Sequence, residues 1–247
     1  MKKIFKIISL LTFTFYSTFV YSNLARAVEA SSYINTIYAV NLCGPGSSLT
    51  ACVGPVVLGS TTAGTTFDLG SVTAGASAGN MGNLSAAVSG TTYSFAQVIL
   101  SRAFTVTGEA GAAGGSNRCR TETDNEFDVS SPSAVLGAND TAAAESQVIG
   151  IPSGTISSNM IGTTSLTGLD GADNSSGNGN IANAEPRVKF RFALSAPITI
   201  KQGKLPTFTI AFDLSEALQF NTVGAGESAV ACVATPGPPN VTASFSN

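Results

Sequence analysis

Glu122, Asp124, Glu126 and Asp128 occupy every second position of one short segment. In an extended strand such residues project to one face, so the four carboxylates would form an oxygen comb. That comb could hold a hard cation such as calcium. Without a ligand it is a charged edge that discourages unwanted strand pairing, and this plainer role is the expected one. Asp170, Asp173 and Asn174, followed by Asn178 and Asn180 among glycines and serines, have the oxygen-rich makeup of a calcium loop. Their spacing is not that of an EF-hand and no Glu closes the loop. An exposed loop is therefore the default, and calcium is the one cofactor to test. Arg187, Lys189, Arg191, Lys201 and Lys204 cluster further along. A basic strand face opposite an acidic comb predicts charge pairing, within the fold or between subunits.

Other chemistry is excluded by absence. The chain has no His, which removes Ser-His-Asp and Cys-His catalysis and His-ligated zinc or copper. No S-x-x-K motif is present to support a Ser-Lys dyad. Paired acids in a cleft hydrolyse glycosides, but sequence spacing alone sets up no such pair. The expectation is a protein that is not an enzyme. The lack of Trp leaves only Tyr and Phe for stacking on carbohydrate.

The amino terminus reads as an export signal. Lys2, Lys3 and Lys6 precede an uncharged run from Ile7 to Ala25, and Val28-Glu29-Ala30 offers a cleavage site before Ser31. A retained anchor is the alternative, since a membrane span needs about 20 apolar residues. The Ser, Thr and Asn content of the run argues against it. Beyond residue 30 the chain holds 8 basic and 14 acidic residues, a net charge of −6. Nucleic acid and anionic membranes, which need clustered Lys and Arg, are thereby disfavoured as partners. The four cysteines, Cys43, Cys52, Cys119 and Cys232, read as two disulfides in an exported chain. A Gly-Pro-Gly turn between Cys43 and Cys52 favours that pair and leaves Cys119 for Cys232.

Period-two alternation supplies the elements. Val188, Phe190, Phe192 and Leu194 should face inward, and so should Phe208, Ile210, Phe212 and Leu214. Val241, Ala243 and Phe245 alternate at the carboxyl end. One long strand is predicted over Thr92–Thr107, interrupted at Arg102, with others at Tyr33–Val40 and Val53–Leu58. A short helix is the one exception, at Leu214–Phe220. Residues 108–185 lose the pattern and read as an insertion of weakly patterned strands. The prediction is an all-β antiparallel sandwich, Ig-like or jelly-roll, forming a single domain over residues 31–247 after a leader of residues 1–30.

The stretch Gly90-Thr-Thr-Tyr93-Ser-Phe-Ala-Gln-Val98-Ile-Leu100-Ser-Arg102, running on to Gly108, resembles uncharacterised exported β-sandwich proteins of marine bacteria. The resemblance spans roughly Tyr33–Gly108 and implies a cell-surface or extracellular setting. A looser likeness is to bacterial fibre subunits that complete one another with a donated strand, although this chain ends Phe245-Ser246-Asn247, without their penultimate Tyr. It implies Ser31–Val40 and Asn240–Asn247 as donors. The expected subunit interface is then Tyr33, Ile34, Ile37, Val40, Val241, Ala243 and Phe245, with Arg187, Lys189 and Arg191 guiding register. The expected function is a structural subunit of an extracellular filament, pilus or surface coat that self-associates into a polymer. The alternative is a monomeric secreted adhesin that binds carbohydrate or calcium.

Overall fold

Alternating apolar residues dominate the chain, and strands dominate the fold. A computed structural model describes residues 26–70, 84–111, 118–124, 126–129, 136–155, 165–169, 180–201, 206–223, 231–237 and 240–246. The early strands are β1 (Arg26–Val28), β2 (Ser32–Cys43), β3 (Val56–Asp68), β4 (Thr92–Ser101), β5 (Ala103–Thr107) and β6 (Glu109–Gly111). The middle of the chain adds β7 (Arg118–Arg120), β8 (Leu136–Asp140), β9 (Gln147–Gly150), β10 (Gly154–Thr155), β11 (Ser165–Leu169) and β12 (Asn180–Ile181). The last are β13 (Arg187–Thr199), β14 (Thr207–Asp213), β15 (Leu218–Val223), β16 (Ala231–Pro236) and β17 (Asn240–Ser246).

These form two antiparallel sheets packed face to face. In the first, β3 pairs β2, and β2 pairs the nearly continuous strand made by β4 and β5. Beyond that strand lie β13 and then β11 at one end, and β9 at the other. The second sheet runs β1-β15-β16-β8-β7-β6. Two ribbons, β10–β12 and β14–β17, complete the set. Tyr33, Val106 and Ile149 from the first sheet meet Leu218, Phe220 and Ala234 from the second in one buried cluster. The sandwich expected from period two is the architecture found.

The chain changes sheets at tight corners. Between β5 and β6 the corner is Gly108, where a Cβ would lie 2.5 Å from Leu218 Cδ2. Only the missing side chain permits that approach. Thr121 pins the same corner: its backbone N–H donates to Gly108 O at 3.0 Å, and its hydroxyl accepts from Gly108 N at 3.1 Å.

Three expectations change. Leu214–Phe220 is not a helix but a turn, closed by Ala217 N donating to Leu214 O at 3.1 Å, followed by β15. Leu218 and Phe220 are two apart, and both are buried; period two outweighs the helical spacing of Leu214 and Leu218. Among the described residues, the insertion expected at 108–185 is woven into the sandwich. It supplies β6, β7 and β8 to the second sheet and β9 and β11 to the first. The acidic comb is not a strand either. The chain turns at Thr123–Asp124, and Phe127 is drawn into the core with its N–H donating to Val148 O at 2.8 Å. Burying one aromatic ring stabilises by roughly 1.5–3 kcal/mol, enough to override the weak preference of alternating acids for an extended row.

Candidate subunit interface

The predicted interface begins with Tyr33, Ile37 and Val40 on β2, all buried in this chain's own core, Val40 beyond a register shift that follows Ile37. β2 is an interior strand, with β3 on one flank and β4–β5 on the other. Ile34 faces away from that core opposite Asp68 of β3. In the folded chain this segment is scaffold, not a spare strand.

The carboxyl-terminal segment is placed differently. β17 pairs β14 along its whole length, from Phe212↔Val241 through Ile210↔Ala243 to Phe208↔Phe245. The Phe208 and Phe245 rings stack with centroids 4.8 Å apart. Phe208, Ile210, Phe212 and Phe245 are only partly buried where they meet the core. Among the described residues this ribbon has no third strand. β17 also lies alongside β13.

An edge strand of the first sheet is β3. It is 13 residues long and has a paired strand on one flank only among the described residues. From Val56 to Phe67 it carries neither charge nor proline, and Val57 is half exposed. At its middle the chain bulges. Four residues of β3 lie opposite Tyr38 alone, between Ile37↔Thr65 and Ala39↔Ser60. Gly64 sits there with φ +77°, a backbone that L side chains rarely adopt.

The basic stripe on β13 is split between roles. Arg187 lies over the Tyr38 ring at 3.9 Å and donates to Thr62 O at 3.3 Å, so it clasps the β3 bulge. Lys189 is half-buried between Ile99 and Thr167 in register. Arg191 corrects the prediction. It is buried, with Nε and Nη2 donating to Gln97 Oε1 at 3.2 and 3.1 Å and Nη1 donating to Leu49 O. Desolvation pushes its pKa down from the usual guanidinium value. The loop between Cys43 and Cys52 closes over it, so Arg191 is withdrawn from any partner.

Both disulfides form as the spacing predicts, Cys43–Cys52 and Cys119–Cys232. One acid of the expected comb takes part in a charge cluster centred on Arg120. Glu122 lies 3.8 Å from Arg120, and Arg120 makes a two-pronged contact to Asp140 at 2.8 and 3.1 Å. Asp170, Asp173 and Asn174 lie outside the described residues. Among the described residues no group of three or more His, Cys, Asp or Glu is placed to hold a metal ion, and no helix is long and apolar enough to cross a membrane.

Sequence reasoning noticed Arg102 only as an interruption. The structure makes it the junction at which β4 hands over to β5, and β13 to β9. Its backbone N–H donates to Pro186 O at 2.9 Å, and its carbonyl accepts from Ile151 N at 3.2 Å. Its fully buried side chain donates to Ile151 O, Ala182 O and Glu185 O at 2.6, 3.1 and 3.2 Å, and stands over the Phe127 ring. A lone Arg in an apolar strand was the available signal. Comparison of the chain with family models, curated proteins and solved structures finds no match.

Proposed function

We propose that this chain is a non-enzymatic structural subunit of an extracellular filament, pilus or surface coat, and that its copies join edge to edge through β-strands. The observation that carries the reading is β3, a 13-residue edge strand without charge or proline from Val56 to Phe67. Edge strands are ordinarily guarded by lysines, prolines or short length, because their free N–H and C=O groups recruit other chains. The bulge at the middle of β3 is itself one of the ordinary guards, so the stretch that suits a joint is the Val56–Ser60 end, which has neither charge nor proline. The partner that fits is a second copy, because β14, uncharged from Thr207 to Phe212, is paired on one flank only among the described residues, while β17 lies beside β13. Contact between two different edges is head-to-tail, and where its rotation does not close into a ring it propagates into a fibre. The two disulfides suit an oxidising, extracellular setting.

Electron microscopy of the purified chain is the test. Filaments or sheets of regular repeat are expected; isolated globules at all concentrations would overturn the reading.

A further inference from the structure

We propose that the Cys43–Cys52 disulfide is a redox latch that readies the β3 edge for assembly only after the chain has left a reducing compartment. This inference rests on the edge-to-edge reading above and adds its regulation. The latch sits where β2 turns into β3. Cys43 ends β2, and β3 opens with Val56 opposite Leu42 and Val57 opposite Asn41. The intervening loop is what sets that register. It is tied at its neck by the disulfide and by Gly44 N donating to Val53 O at 2.8 Å. The Ser47 hydroxyl donates to Gly44 O at 2.6 Å and accepts from Val53 N at 2.9 Å. At its far side the loop is held by Arg191 through Leu49 O.

That far-side contact makes the covalent bond matter. Arg191 is buried, and the acceptors the structure gives it are a side-chain amide oxygen and a backbone carbonyl. A buried guanidinium with no carboxylate partner among the described residues favours any motion that returns it to water. In the dithiol form the loop is held by hydrogen bonds alone, and lifting it hydrates Arg191. In the disulfide form lifting is opposed by the closed ring. Oxidation thus shifts the β2–β3 connection toward the docked form and fixes the Val56–Ser60 end of the edge.

The chemistry is a balanced exchange. The Cys43 and Cys52 thiols lose two protons and two electrons to a disulfide-bearing oxidant, which becomes a dithiol. The reverse uses a dithiol reductant. Access separates the two disulfides of this chain: Cys43 is buried but its partner Cys52 is partly exposed, whereas Cys119 and Cys232 are both buried. Attack requires a reachable sulfur, so Cys43–Cys52 opens first.

The test titrates the folded, oxidised chain with dithiothreitol and traps thiols by alkylation for mass mapping. Alkylated Cys43 and Cys52 should appear at a reductant concentration about tenfold below that needed for Cys119 and Cys232. Amide exchange over residues 44–60 should then rise about tenfold with the second sheet unchanged. Opening of Cys119–Cys232 first, or unchanged exchange at 44–60, overturns the latch. Arg191→Gln keeps the disulfide and should remove most of the difference in exchange between the two redox forms. Polymer growth is scored separately, before and after selective reduction. Faster exchange with undiminished growth overturns the link to assembly. Absence of polymer from the oxidised chain overturns the edge-to-edge reading and the link together, while the exchange data still decide the latch.

Discussion

Arg102 shows how one residue sets the shape of a sheet. A strand running unbroken from Thr92 to Thr107 would normally keep the same neighbour on each flank; here the neighbour changes from β13 to β9 at Arg102. The side chain fills that fork and satisfies three backbone carbonyls that no strand can reach. Asn35 braces the opposite flank by donating to Ser101 O and Ala103 O, both at 3.1 Å. Arg102→Met should therefore cost about 3–5 kcal/mol, because the carbonyls and Glu185 lose a buried cation. Urea unfolding checks it, and a loss below about 1 kcal/mol would contradict this role. Asp140 gives a pH prediction. The hydrogen bond from Arg120 holds its carboxyl below the usual carboxylate range. A carboxylate depressed in the fold contributes stability that is present above about pH 3.9 and is lost as pH falls through the lower folded value. Asp140→Asn should flatten the acid limb of the stability curve below about pH 4, measured by thermal melts across pH.

At the scale of elements, the β3 edge differs from the interior strand next to it. β2 is buried on one face and paired on both flanks, so deleting Ser31–Val40 removes core and yields unfolded chain instead of a folded monomer. β3 can be changed without that penalty. Val57→Lys places a charge on a half-exposed edge position, and should leave the melting temperature within about 2 °C while abolishing any polymer seen by microscopy. Intact polymer in that variant would move the joint elsewhere. The amino-terminal boundary is also an element-scale question. Arg26–Val28 forms β1 against β15, and Ala30 is buried behind it. A chain starting at Ser31 should therefore be less stable than one starting at Arg26 by about 1–2 kcal/mol, read from urea midpoints.

Across the whole molecule, Cys119–Cys232 joins strands on either side of β8 and closes 113 residues of chain. On the loop-entropy argument it contributes about 5 kcal/mol, against about 3 kcal/mol for Cys43–Cys52. Replacing Cys119 and Cys232 by Ala should accordingly lower the melting temperature more than replacing Cys43 and Cys52 by Ser. Composition and alternation were sufficient for the all-β class, for the buried row Val188, Phe190, Phe192 and Leu194 and for Cys43–Cys52, because each depends on local period or short spacing, and Cys119–Cys232 followed by elimination. The fate of Arg191 was not legible, since a basic residue on the outer face of β13 reads as exposed until a loop 142 positions earlier folds over it. The comb at Glu122–Asp128 failed for a related reason: Phe127 has a place in a core built from distant strands. Which edges stay open, and which charges are buried, depends on contacts between residues far apart in the chain. Period and spacing report a residue's neighbours along one strand, and only the packed sheets decide its neighbours across space.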